Sequence, residues 1–300
     1  MNNTDWDTYY STNLSEEIKQ LCVKADKFEI SEKYEDAIDC LDEAIRLNPL
    51  SPYLWFKKYS PLDSLNQFQE SIDCLDEAIR LNPNYRDAWD CKGRALERNC
   101  FHEKYSTEEE SPDPELHVEL GEVPTSLENN DMVRRYEKAL ECFDEVIRLY
   151  SDDVDGWQNK ASILNQLKRF EESVQFCTKA IEYFLWEEKF ARLQLWMSKI
   201  EALFGLKKYD EVILCCNDAK HNLGYIHEWY YSYKYDALIE LKKFEDAIEC
   251  CNDLLEHYGD NDGGFNYVGW MYRKNNALKK LDRDEEAEQC FAKARELDES

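Results

Sequence analysis

Twelve cysteines, five histidines and 64 aspartates and glutamates are the groups in this 300-residue chain that could hold a metal, shuttle a proton or act as a nucleophile. Zinc needs paired ligands at CxxC-like spacing, and thiol catalysis needs a thiolate. The spacing here is different. Cys40, Cys74, Cys142, Cys177, Cys215, Cys216, Cys250, Cys251 and Cys290 fall at one of two adjacent positions of a recurring apolar segment. That is how a small buried group recurs on a packed helix. His102, His117, His221, His227 and His257 are scattered outside HExxH, and GxxxxGK[ST], GxGxxG and GxSxG are absent. The carboxylates lie on solvated helix faces, with no apolar pocket or partner group to mark a catalytic pair. We therefore expect a non-catalytic chain with no catalytic residue, no metal ligand and no cofactor.

The elements that position these groups repeat. The segment DCLDEAIRLNP occurs at Asp39 to Pro49 and again at Asp73 to Pro83, 34 residues on. Ala37, Leu41, Ala44 and Ile45 recur at spacings of three and four, which makes one apolar helical stripe, and Pro49 stops it. The same phase continues at Ser71, Ala139, Ser173, Val212, Ala247 and Ala287, giving seven copies of one helix. Before each lies a second helical stretch. Trp55, Trp89, Trp157 and Trp196 share one phase of it, filled by Leu21, Tyr231 and Met271 in the other copies. A unit of two helices cannot bury its own apolar face, so stacked copies must bury it together.

Two helices repeated at 34 residues, with these tryptophans, the small residues Ala37, Ala44, Ser71, Ala78 and Ala247, and Pro49 and Pro83, resemble the tetratricopeptide repeat (TPR) family. The resemblance implies an all-α fold, an alpha-alpha superhelix or solenoid of about seven helix-turn-helix repeats. The expected boundaries are an N-terminal extension at 1–17 and repeats at 18–51, 52–85, 86–100 with 136–153, 154–187, 193–226, 228–261 and 268–300. An acidic insertion at 101–135 splits the third repeat. It carries Pro112, Pro114 and Pro124 and keeps no helical stripe. Pro61 should kink or shorten the first helix of the second repeat. Tyr59 and Tyr235, where the family usually has a small residue, imply looser packing. Extra residues near 185–190 and 258–264 should lengthen loops or helix ends.

The resemblance also implies function. First helices of the family line a concave groove that binds an extended peptide or a helix. Carried over by phase, the partner-binding candidates here are Tyr53, Phe56, Lys57, Asp90, Arg94, Asn159, Met197, Trp229, Tyr233, Tyr272, Arg273 and Asn276. The expected role is a protein-protein interaction scaffold, with a protein or peptide as partner. The carboxylate clamp of some co-chaperone relatives is not matched, since its positions read Lys19/Val23, Lys57 and Asp87/Cys91, or Gln194/Ser198, Tyr233 and Gly269/Arg273. The alternative is a self-assembling structural or adaptor protein, in which Cys290, Phe291 and Ala294 of an uncapped last repeat meet another chain to form a homo-oligomer. A metal-binding or catalytic protein without a recognisable motif ranks below both.

The formal net charge is −27. That charge repels nucleic acid and anionic membranes and favours a basic partner. No apolar run reaches transmembrane length, and the N-terminus lacks the basic and apolar regions of a secretion signal, so the expected location is cytoplasmic and the thiols reduced. One positive pattern runs against the acidity. Lys24, Lys58, Lys92, Lys160, Lys199, Lys234 and Lys274 occupy one phase in all seven repeats. They would either meet nearby carboxylates or border the groove as a positive stripe.

Overall fold

The computed structural model describes residues 14–106, 130–184, 189–224, 228–258 and 265–298. Most of the expected N-terminal extension, residues 107–129 of the expected insertion, and most of the two expected loop expansions lie outside them. All regular elements among the described residues are helices. In chain order they are α1 (Glu16–Ile30), α2 (Tyr34–Leu47), α3 (Pro52–Ser64), α4 (Phe68–Leu81), α5 (Arg86–Ser106), α6 (Asn130–Leu149), α7 (Val154–Gln166), α8 (Phe170–Tyr183), α9 (Lys189–Gly205), α10 (Tyr209–Leu223), α11 (Glu228–Glu240), α12 (Phe244–Tyr258), α13 (Phe265–Lys279) and α14 (Asp284–Asp298). They form two compact units, residues 1–163 and 164–300.

In the first unit α1 pairs with α2, α3 with α4 and α5 with α6, and the second helices α2 and α4 also pack on the next first helix. The second unit repeats the pattern from α8 through α14, with the first helices α9 and α11 side by side. Ala37, Ala44, Ser71, Ala78, Ala139, Ser173, Ala247 and Ala287 are fully buried. Each is the small residue that lets paired helices approach. Leu14, Ile18 and Cys22 meet Ala44, Ile45 and Leu54 in one cluster, against which Trp55 packs. That cluster draws on three helices and two repeats, so neither repeat has a complete core alone.

The tryptophans also hold the connections. Trp55 donates its indole N–H to the Pro49 carbonyl at 3.0 Å, Trp89 to Pro83 at 3.0 Å and Trp157 to Ser151 at 3.1 Å. Each acceptor lies six residues earlier, in the turn that enters the first helix. Trp196 is buried, and its indole nitrogen has no hydrogen-bond partner among the described residues.

Turns inside the repeats are equally uniform. Glu32, Asn66, Lys168, Lys207, Lys242 and Asp282 all have φ between 53° and 59°, the left-handed region, without being glycine. At each, the next residue donates its N–H to the carbonyl five residues before it, as in Lys33 to Phe28 at 2.9 Å and Arg283 to Leu278 at 3.1 Å. This closes the end of the first helix in a Schellman-type cap and sets the second helix antiparallel.

Several expectations are corrected. α3 runs through Pro61 to Ser64, and its 13 residues equal the length of α7. Pro61 lacks only the N–H that would reach the carbonyl of Lys57, and the helix continues past it with that one bond forgone. Tyr235 is not loosely packed: it is 3% exposed and donates its hydroxyl to the Arg273 carbonyl at 2.7 Å. Helix extends into both ends of the 101–135 segment, to Ser106 and from Asn130. Cys290 and Ala294 are buried within the chain, whereas Phe291 is half-buried and meets Tyr272 edge-on at 5.8 Å, so of the three residues expected at a self-assembly face only Phe291 is accessible.

Candidate interaction surface

The first helices carry the expected groove residues, and bridges between successive first helices fix many of them. In the first unit the Lys57 ammonium pairs with Asp26 of α1 and lies 6.0 Å from the Tyr53 ring. Ser60 donates to Glu29 at 3.0 Å. Phe56 stacks on Tyr85 at 4.9 Å and on Tyr59 at 5.7 Å. One turn further along the stack, Arg98 of α5 pairs with Asp63 of α3 at 2.9 Å.

Asp90, Arg94 and Asn159 come together. Asp90 is 4% exposed, pairs with Arg94 and accepts from the Asn159 amide at 3.1 Å. Burial raises its carboxyl above the usual range, and the Arg94 and Arg86 charges pull against that rise. A carboxylate held this way joins α5 to α7, and only the exposed Arg94 guanidinium remains open to a partner.

The second unit has a different surface. Trp229 and Tyr233, four residues apart on α11, have ring centroids 4.8 Å apart. Tyr233 meets Phe204 of α9 at 5.5 Å, and Phe204 meets Tyr209 at 5.3 Å. All four rings are half-buried. Burial, and then the Glu201 and Asp236 charges, raise the Tyr233 hydroxyl pKa; burial and Glu240 raise that of Tyr209. The result is an aromatic patch with an acidic border. Asp236 accepts from Arg273 of α13 at 3.2 Å, and Asn165 donates to Glu201 at 2.9 Å.

Met197 is half-buried on α9, and Asn276 is exposed on α13 with its amide bonded to the Tyr235 hydroxyl. The Tyr272 ring meets Phe291 of α14, inside its own repeat. Phase alone could not find Phe204 and Tyr209, because they sit at the end of α9 and the start of α10.

In the first unit three of the four ladder lysines are in ion pairs, while Lys24 lies 5.5 Å from the Phe28 ring. Lys58, Lys92 and Lys160 pair with Asp42, Asp76 and Asp144, always 16 residues earlier. The matching acceptor positions in later repeats are Thr178, Asn217 and Asn252, none of them charged. Lys234 accordingly bonds the neutral Asn217 oxygen at 2.9 Å, and Lys199 lies 5.6 Å from the Trp196 ring.

All twelve cysteines are buried, and none is in a disulfide. Burial pushes the thiol of Cys74 up to about 11, and those of Cys142, Cys177, Cys215 and Cys250 up to about 12. A thiol so placed is a packing group and a poor nucleophile. Among the described residues no group of three or more His, Cys, Asp or Glu could hold a metal ion, and no helix is long and apolar enough to cross a membrane.

Profiles of the tetratricopeptide repeat match residues 62–85 and 133–184. The chain belongs to the tetratricopeptide repeat family. No curated protein matches this TPR chain. Among solved structures, a tetratricopeptide repeat protein from Parabacteroides merdae superposes with a TM-score of 0.56 at 12% identity, over 94% of each chain. The MamA protein does so with a TM-score of 0.51 at 13% identity, over 70% of this chain and 93% of its own. PilW, a type IV pilus biogenesis factor, gives 0.51 at 9% identity, over 85% and 98%. At such identities the likeness concerns the TPR fold alone, and that fold is one that typically mediates protein-protein interaction.

Proposed function

We propose that this TPR protein is a non-catalytic interaction scaffold, and that the inner first-helix face of residues 164–300 takes a basic partner segment bearing an apolar or aromatic side chain. One observation carries this reading. Four half-buried rings, Phe204, Tyr209, Trp229 and Tyr233, are bordered by Glu201, Asp236 and Glu240. Half-buried aromatics are good anchors for a partner, and a carboxylate border steers basic chains toward them. The polar bridges beneath, Arg273 to Asp236 and Asn165 to Glu201, hold the helices so that the rings are preformed.

The test is crosslinking of the full chain in an extract of its source cells, then identification and synthesis of the captured segment. Its affinity should fall with added salt and fall at least tenfold in a Trp229→Ala/Tyr233→Ala variant. Binding indifferent to salt and to both substitutions would overturn the proposal.

A further inference from the structure

We propose that the outward face of α1 is a docking site for this chain's own residues 5–10, Asp-Trp-Asp-Thr-Tyr-Tyr, which close the first end of the helical stack.

The later first helices show what this face receives elsewhere. The residue just before the tryptophan phase is Leu54, Ala88, Gly156, Leu195, Tyr230 or Trp270, and all six are buried. The residue six after that phase is Pro61, Ala95, Ile163, Ala202, Ala237 or Ala277, and these are buried as well. A preceding second helix is the reason. Leu54 clusters with Ala44 and Ile45 of α2, and a Cβ at Gly156 would meet Val146 of α6 at 2.7 Å. On α1 the same two positions are Gln20 and Lys27, both exposed. The face is therefore made for a charged, polar cover and not for the apolar stripe of another second helix.

Between Gln20 and Lys27, Val23 is 52% exposed. It sits in a cavity of about 320 Å³, within the range of binding pockets. Among the described residues only α1 lines this cavity, through Glu16, Lys19, Gln20, Val23, Lys24 and Lys27. One helix is convex, so a second wall must complete it.

Charge selects that wall. Lys24 lies 5.5 Å from the Phe28 ring, and Lys19, Lys24 and Lys27 are in no ion pair among the described residues. Of the acids on α1, Asp26 pairs with Lys57 and Glu29 accepts from Ser60. Glu16 and Glu17 stand in the first turn, where they offset the helix dipole. In a chain of net charge −27, this local excess of ammonium groups favours an acidic occupant. Residues 1–13 hold Asp5 and Asp7, the rings of Trp6, Tyr9 and Tyr10, and no lysine or arginine. They join α1 at Leu14, which is buried against Ile18 and Cys22. Val23 is about 13–14 Å along α1 from Leu14 at 1.5 Å per residue. The chain from Leu14 back to Trp6 spans up to about 26 Å. The segment therefore reaches Val23 with its rings, and Asp5 and Asp7 reach Lys24 and Lys27.

The test uses the full chain with Thr8→Cys and Gln20→Cys, which spare every ring and charge named above, oxidised with diamide. The twelve native thiols are buried and compete poorly. We expect a disulfide within one chain, mapped by peptide mass spectrometry and formed at least tenfold faster than in a Thr8→Cys/Leu214→Cys control, in which Leu214 is 63% exposed on α10. Lys24→Glu/Lys27→Glu should slow it severalfold, and adding Asp5→Lys/Asp7→Lys should restore it. Without new cysteines, Trp6→Ala/Tyr9→Ala/Tyr10→Ala should speed amide hydrogen exchange in Glu16–Ile30 at least threefold and leave α12 to α14 unchanged. Formation no faster than the control, indifference to charge reversal, or unchanged exchange in α1 would each overturn the proposal. So would a disulfide between two chains, since a second copy would then be the occupant.

Discussion

Alanine at Gly93 and alanine at Gly269 are the same chemical change on two first helices, and they should have opposite effects. In a helix interior the change gains about 0.8–1 kcal/mol of propensity. At Gly269 a new Cβ would meet nothing within 4 Å, so that gain should appear in full. At Gly93 the Cβ would lie 2.6 Å from Cζ and 2.7 Å from Cε1 of Phe143 on α6. Ordinary carbon contacts are about 3.5–4.0 Å, so the ring must retreat by about 1 Å. Phe143 is fully buried, and protein interiors are close-packed, so its ring has little room to retreat. Overpacking of this kind costs about 1–3 kcal/mol. Gly93→Ala should therefore be destabilising by about 0–2 kcal/mol net, and the two variants should differ by about 1–3 kcal/mol. Urea unfolding followed by far-UV circular dichroism measures both. Phe143→Leu should remove much of the clash, so a double-mutant cycle should give a coupling of about 1 kcal/mol or more. If Gly93→Ala stabilises as much as Gly269→Ala, or the cycle shows no coupling, the close approach of α5 and α6 is wrong.

Trp89→Phe removes the bond to the Pro83 carbonyl as well as ring area, and should cost about 1–2 kcal/mol in the same assay. Trp196→Phe, with no such bond to lose among the described residues, should cost less. Thiols of Cys74, Cys142, Cys177, Cys215 and Cys250 ionise in the folded chain at about 11–12, above the unfolded value near 8.5. Stability should therefore hold below about pH 8.5 and fall as pH climbs through 11–12, and Cys142→Ala should flatten the fall in a pH series of melting temperatures. The folded thiols should also resist a disulfide-exchange reagent until denaturant is added. Asp76→Asn breaks the pair with Lys92 and should cost about 0–1 kcal/mol, a difference that high salt erases.

Periodicity made the helices legible because burial is itself periodic: Ala37, Ser71 and Ala139 recur wherever two helices must touch. The lysine partners were legible too, since Lys58, Lys92 and Lys160 each have an aspartate 16 residues back. What escaped lies where the period slips or where several elements meet. Trp270 stands one residue out of phase, so matching by phase saw Met271 and passed over the indole beside it. Phe204 and Tyr209 join the Trp229 patch across a turn, and phase within a single helix does not report that. Helix to Ser106 and from Asn130 was hidden by the prolines and acidic run between them, which break the apolar stripe. Pro61 does not shorten its helix, because a proline removes a single backbone bond, to the carbonyl four residues before it.

The six left-handed turns have a kinetic consequence. Every one closes through a bond spanning five residues, so each helical hairpin can form without waiting for distant chain. Such low contact order favours rapid collapse and lets nucleation begin in any of these hairpins. A chain leaving the ribosome could bury successive repeats as they emerge, and damage at one end would not prevent the other from assembling.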